Sequence, residues 1–112
     1  MLINGTEIIN TCPHPIYLKD EGGYVHTIPF NQADLLRIHC QFDNKMLGPF
    51  RDSHVIYRYI DKLPPQKDNT IYIISAPTMS FLHLAGVKRE DFRVLGSKDK
   101  DDPKIRIGFA RA

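Results

Sequence analysis

The run Thr70 to Ser75, TIYIIS, constrains this chain more than any other stretch. It is strongly apolar and hardly alternates, so both of its faces want cover. That is the pattern of a strand near the middle of a sheet. At Pro77 the pattern changes. TMSFLHLAG follows, with proline near the start and Gly86 just past the end, the asymmetry expected of a helix. Ser75 or Ala76 is placed to cap it. The sequence therefore predicts one short helix over about residues 77–85, with Met79, Leu82 and Phe81 turned to the core and a stop at Gly86.

The rest reads as strands and turns. Thr6 to Asn10 is strand-like. Pro15 to Lys19 puts Ile16 and Leu18 on one face and Tyr17 on the other, Asp20–Gly23 is a turn signal, and Tyr24 to Ile28 alternates back. Residues 15–29 are thus expected to form a β-hairpin. Asp34 to Cys40 could be strand or a short helix and leans to strand, Asp43 to Pro49 reads as a loop, and His54 to Ile60, rich in β-branched and aromatic residues, reads as strand. Residues 63–69 read as a stiff connector and Lys88 to Asp91 as a charged turn. Phe92 to Leu95 is a short strand, residues 96–103 an exposed tip, and Lys104 to Phe109 a closing strand. The expected fold is α+β, a mostly β single domain over residues 1–112.

Composition bounds the function. With 112 residues, 42% hydrophobic and 25% charged, the chain has the make-up of a globular domain rather than a disordered one. A formal charge of +2 falls well short of the dense Lys/Arg coverage of a dedicated nucleic-acid binder, yet would not repel an anionic ligand. No sequence-specific nucleic-acid partner is expected. No apolar run approaches the roughly 20 residues of a membrane helix, and the N-terminus lacks a signal-peptide pattern. A cytoplasmic protein with no membrane partner is expected. Cys12 and Cys40 have no CxxC spacing and are expected as reduced, partly buried thiols. The five histidines show neither HxxxH nor HExxH, so no metal and no cofactor is implied.

Three places could carry chemistry. His14 is held between Pro13 and Pro15 at a strand end, with an amide, Asn10, and a hydroxyl, Thr11, just before it. Such a cluster can bind an anion, and histidine can act as acid or base near neutral pH. The plainer reading is that Asn10 and Thr11 satisfy a turn. Ser75 stands where a strand meets a helix N-terminus, which favours phosphate or carboxylate, or serves as an ordinary cap. Arg89 could grip an anion bidentately, and Asp91 could orient a histidine or cap a turn. If strands 6–10 and 70–75 are parallel neighbours, His14 and Ser75 emerge at one sheet edge, the usual ligand crevice, and Arg89 could close over it.

These residues also resemble a pattern in small phage and prophage proteins. There an Asn-x-Thr-x-His-x-Ile-like opening leads into a hairpin, and later an Ile-x-Ser strand end precedes a helix and an Arg/Asp turn. Here the matching stretches are NTCPHPIYL, Ile73-Ile74-Ser75 and Arg89–Asp91, with Gly108 in the last strand. The middle, residues 31–60, departs from the pattern, and Glu90 separates Arg89 from Asp91. The resemblance implies a phage accessory protein, in a class that often blocks host defence.

Three functions follow as expectations. The first is binding of a small anionic ligand such as a nucleotide, or of a host protein, by an accessory protein. The second is cleavage of a phosphate ester or nucleotide bond with His14 as the catalytic acid or base. The third is a protein-binding inhibitor or structural component that acts through an exposed strand edge or around Met46-Leu47. Homo-oligomerisation fits all three.

Overall fold

The computed structural model describes residues 1–60 and 62–110. It is mostly strands with one helix, an α+β arrangement, as the sequence predicts. Its centre is a five-stranded sheet in the order β1 (Leu2–Ile3), β2 (Thr6–Asn10), β7 (Thr70–Ile73), β8 (Phe92–Leu95), β10 (Phe109–Ala110). The strands β2, β7 and β8 run parallel, and the short outer strands run antiparallel to them. The TIYI segment lies in the middle, as its lack of alternation requires.

Period-2 alternation sends the two faces of this sheet into two cores. Ile8 and Ile73 pack with Cys12 and with Ile16, Leu18 and Ile28 of the N-terminal hairpin. Tyr72, Ile74 and Phe92 pack with Met79 and Leu82 of the helix α1 (Ala76–Leu84). The central sheet is thus covered by the helix on one face and on the other by a small sheet. That sheet has the order β4 (Val25–Ile28), β3 (Ile16–Lys19), β9 (Ile105–Ile107). The predicted hairpin is the antiparallel pair β3–β4, with Ile16 and Leu18 buried and Tyr17 exposed.

The helix starts and stops where its end signals place it. Ser75 accepts a hydrogen bond from the Thr78 N–H at 3.3 Å. At the other end Gly86 takes a φ of 77°, while its N–H bonds the His83 carbonyl and the Val87 N–H bonds the Leu82 carbonyl. That is the paired closure of a Schellman motif.

The middle of the chain departs from expectation. Residues 34–40 are not one strand: Gln32–Asp34 forms a 3-10 turn capped by Asn31, and β5 begins only at His39. Residues 43–49 are not a loop: β5 runs from His39 to Leu47, Gly48 and Pro49 make a two-residue turn, and β6 returns from Phe50 to Tyr59. Asp43, Asn44 and Lys45 read as a loop because a strand is ordinarily recognised by burial of alternate residues. A ribbon wet on both faces needs none. Gly48 has a φ of 59°, the sign such a turn demands at its first position. The pair β5–β6 joins neither sheet. It gives the molecule a long axis of 56 Å and a radius of gyration of 16.8 Å, against about 13 Å for a compact chain of this length.

Two further expectations are corrected. The tip 96–103 is anchored: Asp99 is buried, receives N–H bonds from Asp101 and Asp102, and pairs with Lys19 at 3.2 Å. The charged turn 88–91 is not merely solvated, since Asp91 is only 6% exposed and ties down Arg89. Of the two free thiols, Cys12 is buried and Cys40 exposed.

Candidate functional site

The loop after β2 is built by its own side chains. The Asn10 amide is buried; its Oδ1 accepts the Cys12 N–H, and its Nδ2 donates to the carbonyls of His14 (2.8 Å) and Pro29 (3.4 Å). One side chain therefore staples the 11–15 loop to the end of the hairpin. The Thr11 hydroxyl donates to the Ile73 carbonyl at 2.7 Å, tying β2 to β7 beyond the last ladder pair. Both residues are spent on the backbone, which is why the two prolines and the polar pair occur together. The His14 ring is exposed, and its Nδ1 bonds the Pro15 carbonyl.

The pairing of β2 with β7 is parallel, Asn10 opposite Ile73, so His14 and Ser75 both lie past the carboxyl ends of adjacent strands. They are not gathered into one concavity. His14 lines a small cleft of about 280 Å³ with Tyr17, Leu95, Lys104 and Arg106, and Ser75 lines neither that cleft nor the larger one. The Ser75 hydroxyl is engaged with the Thr78 hydroxyl at 2.7 Å as well as with the Thr78 N–H.

Arg89 and Asp91 precede β8, which runs parallel to β7, so they sit at the end of the sheet away from Ser75. Arg89 cannot close over that edge because it is committed elsewhere. Its Nε and Nη2 donate to the two Asp91 oxygens at 2.8 and 2.7 Å, its Nη2 also donates to the Pro64 carbonyl, and its guanidinium stacks on the Phe92 ring. The guanidinium holds the Asp91 carboxyl below its usual range against the opposing effect of burial, and the carboxylate raises Arg89 in turn.

A wider concavity than the one at His14 lies where the ribbon leaves the body. It is a cleft of about 610 Å³, within the range of small-molecule sites. Ile9 and Tyr72 of the central sheet line it. So do the chain entering the ribbon, residues 32–37 and His39, and the chain leaving it, residues 60 and 62–65 with Lys67. Each wall is pinned. The Leu36 N–H bonds the Thr11 carbonyl at 3.1 Å, the Tyr72 hydroxyl donates to the Pro65 carbonyl at 2.7 Å, and Arg89 holds Pro64. Arg37, Lys62 and Lys67 are exposed side chains that line it, against one carboxylate among the described residues, Asp34. None of the three cations is paired with an acid among the described residues. Leu36, Ile60 and Leu63 supply apolar wall.

Sequence reading missed this cleft because its residues fall in two segments of no obvious element. The available signal was the recurrence of Arg37, Lys62 and Lys67 beside Leu36, Ile60 and Leu63, on either side of a hairpin. Thr11 and Arg89, nominated as ligand contacts, instead support the walls.

The ribbon itself is the second unusual surface. Phe42, Met46, Leu47, Phe50, Val55, Ile56, Tyr57 and Tyr59 are all exposed, Phe50 at 71%. Among the described residues no group of three His, Cys, Asp or Glu side chains is placed to hold a metal, and no helix is long and apolar enough to cross a membrane. No protein-family model, curated protein or solved structure matches the chain.

Proposed function

We propose that the protein binds a small anionic ligand of the phosphate-bearing class, such as a nucleotide, in the cleft at the base of the ribbon. The observation that carries this reading is the cleft's lining: Arg37, Lys62 and Lys67 around an apolar wall, with Asp34 the one opposing carboxylate among the described residues. Cations at the rim would pair with phosphate oxygens, and Tyr72, Leu36 and Leu63 would cover an apolar moiety. The setting remains the phage or prophage accessory protein that the sequence resembles. The reading moves the expected ligand from the His14 edge to the ribbon base.

A cleaving enzyme has less behind it. The His14 ring bonds a carbonyl next to it in sequence, and no carboxylate orients it among the described residues. A protein partner is the second reading, favoured by the eight exposed apolar side chains of the ribbon.

The test is calorimetric titration with inorganic phosphate and with mono-, di- and cyclic nucleotides at two salt concentrations. Binding that weakens with salt, is lost in the triple variant Arg37→Glu/Lys62→Glu/Lys67→Glu and survives in His14→Ala supports the cleft. Ligand at a hundred times its Kd should also raise the thermal midpoint, by the equivalent of roughly 2.7 kcal/mol. Absence of heat across the whole panel overturns the reading.

A further inference from the structure

We infer that the ribbon is a dimerisation arm, and that a second copy of this chain pairs with it along the β5 edge, antiparallel and centred on Asn44. The inference is independent of the ligand in the cleft.

The argument begins with the ribbon's isolation. A two-stranded ribbon that packs on nothing is marginal in water, and it leaves a row of unpaired N–H and C=O groups along each edge. Here nine residues of β5 and ten of β6 form a two-stranded sheet of their own among the described residues. Two copies joined edge to edge by a two-fold axis perpendicular to the ribbon would satisfy one edge of each. That operator keeps each face on its own side, so directly opposite residues must share a face and the axis must pass midway between one residue and its own copy.

Sequence then selects the residue. Centred on Asn44, the pairing sets Asp43 opposite the second copy's Lys45, and Lys45 opposite its Asp43. On the other face it sets Phe42 opposite Met46, twice. Opposite charges meet on one face and apolar side chains on the other, both favourable cross-strand pairs. Centring one residue earlier sets Asp43 against its own copy, and one residue later sets Lys45 against its own copy, each a like-charge contact. Within one chain Lys45 already reaches Asp43 at 3.6 Å, so both charged groups lie on the same face and are exposed. The antiparallel register sends the two bodies to opposite ends of a four-stranded ribbon, because His39 at the start of each β5 adjoins its own body and Leu47 lies at the far turn.

Light scattering over a range of concentration reads the outcome, with circular dichroism confirming that each variant is folded. The full chain should dimerise. Asp43→Lys and Lys45→Asp should each weaken association by at least about tenfold, since each creates two like-charge contacts, and the double exchange should restore it. A second arm reports the edge. In a Cys40→Ser background, Asn44→Cys should give a disulfide-linked dimer on mild oxidation and Ser53→Cys on β6 should not. A monomer at millimolar concentration, association indifferent to the charge reversals, or cross-linking through Ser53→Cys overturns the inference. A monomer would leave the ribbon to a different protein, the second reading above, without touching the anion site.

Discussion

Arg89 shows how a residue can be read correctly for its chemistry and wrongly for its partner. A bidentate grip on a carboxylate was the expected use of its guanidinium, and that is what it does, but the carboxylate belongs to Asp91. Glu90 and Asp91 lie in the turn that leads into β8, and the pair closes across it. The pair is largely buried, so removing one partner strands the other, at a cost of about 3 kcal/mol. Arg89→Ala should lower stability by that order in urea unfolding and should also weaken ligand binding in the cleft, because the Pro64 carbonyl loses its tether. The acid limb of stability follows from the same pair. The Asp91 carboxyl is held low in the folded protein, so its contribution is fully present above the unfolded value of about 3.9 and is lost as pH falls through the folded one. Lys19 and two N–H groups hold Asp99 low in the same direction. Thermal midpoints measured from pH 7 down to pH 3 should therefore fall steeply below about pH 4. Asp91→Asn should start lower at pH 7 and fall less. A profile of unchanged slope in Asp91→Asn would show that the pair does not couple to folding.

At the scale of elements, what was legible depended on burial. TIYIIS, the 15–29 hairpin and the helix were readable because a core selects their apolar patterns and because Ser75, Pro77 and Gly86 mark ends by backbone chemistry. Residues 39–59 were hard to read because no core imposes alternation on a ribbon exposed on both faces, so propensity and turn signals were the only guides. The candidate site was not legible in the sequence. The ligand class, a small anion, was an expectation from sequence, but Arg37, Lys62 and Lys67 were not among the nominated residues, because the cleft is made of two segments that meet only through the ribbon between them. The last strand shows another limit. Residues 104–109 read as one strand, but the chain crosses from the small sheet to the central one between β9 and β10, turning at Gly108 with a φ of 60°. Gly96 lies against that corner, and a Cβ there would come within 1.9 Å of the Ile107 carbonyl oxygen. Backbone cannot yield as a side chain tip can. Gly96→Ala should destabilise by about 3 kcal/mol, read as a lowered urea midpoint. An unchanged midpoint would mean that the corner has slack the packing does not show.

For the molecule as a whole, the order of pairing along the chain has a kinetic consequence. The ribbon joins neighbours in sequence and can close in microseconds. The body cannot. Its central pairing brings Thr6–Asn10 to Thr70–Ile73, and the small sheet brings Tyr17 to Ile105, near the far end of the chain. Parallel pairings across such separations wait on the closure of long loops, so the body should fold in milliseconds to seconds. Stopped-flow refolding followed by tyrosine fluorescence should show this slow phase with the same rate in Asp43→Lys as in the unaltered chain. A slow phase that depends on concentration would place association before closure of the body. The arm is therefore finished long before the body it serves, and a newly made chain presents its sticky edge to the surrounding solution while both halves of the core are still apart. Charges at Asp43, Lys45, Arg51 and Asp52 on so exposed a strand pair then have a second use: they keep the early arm from joining partners in the wrong register.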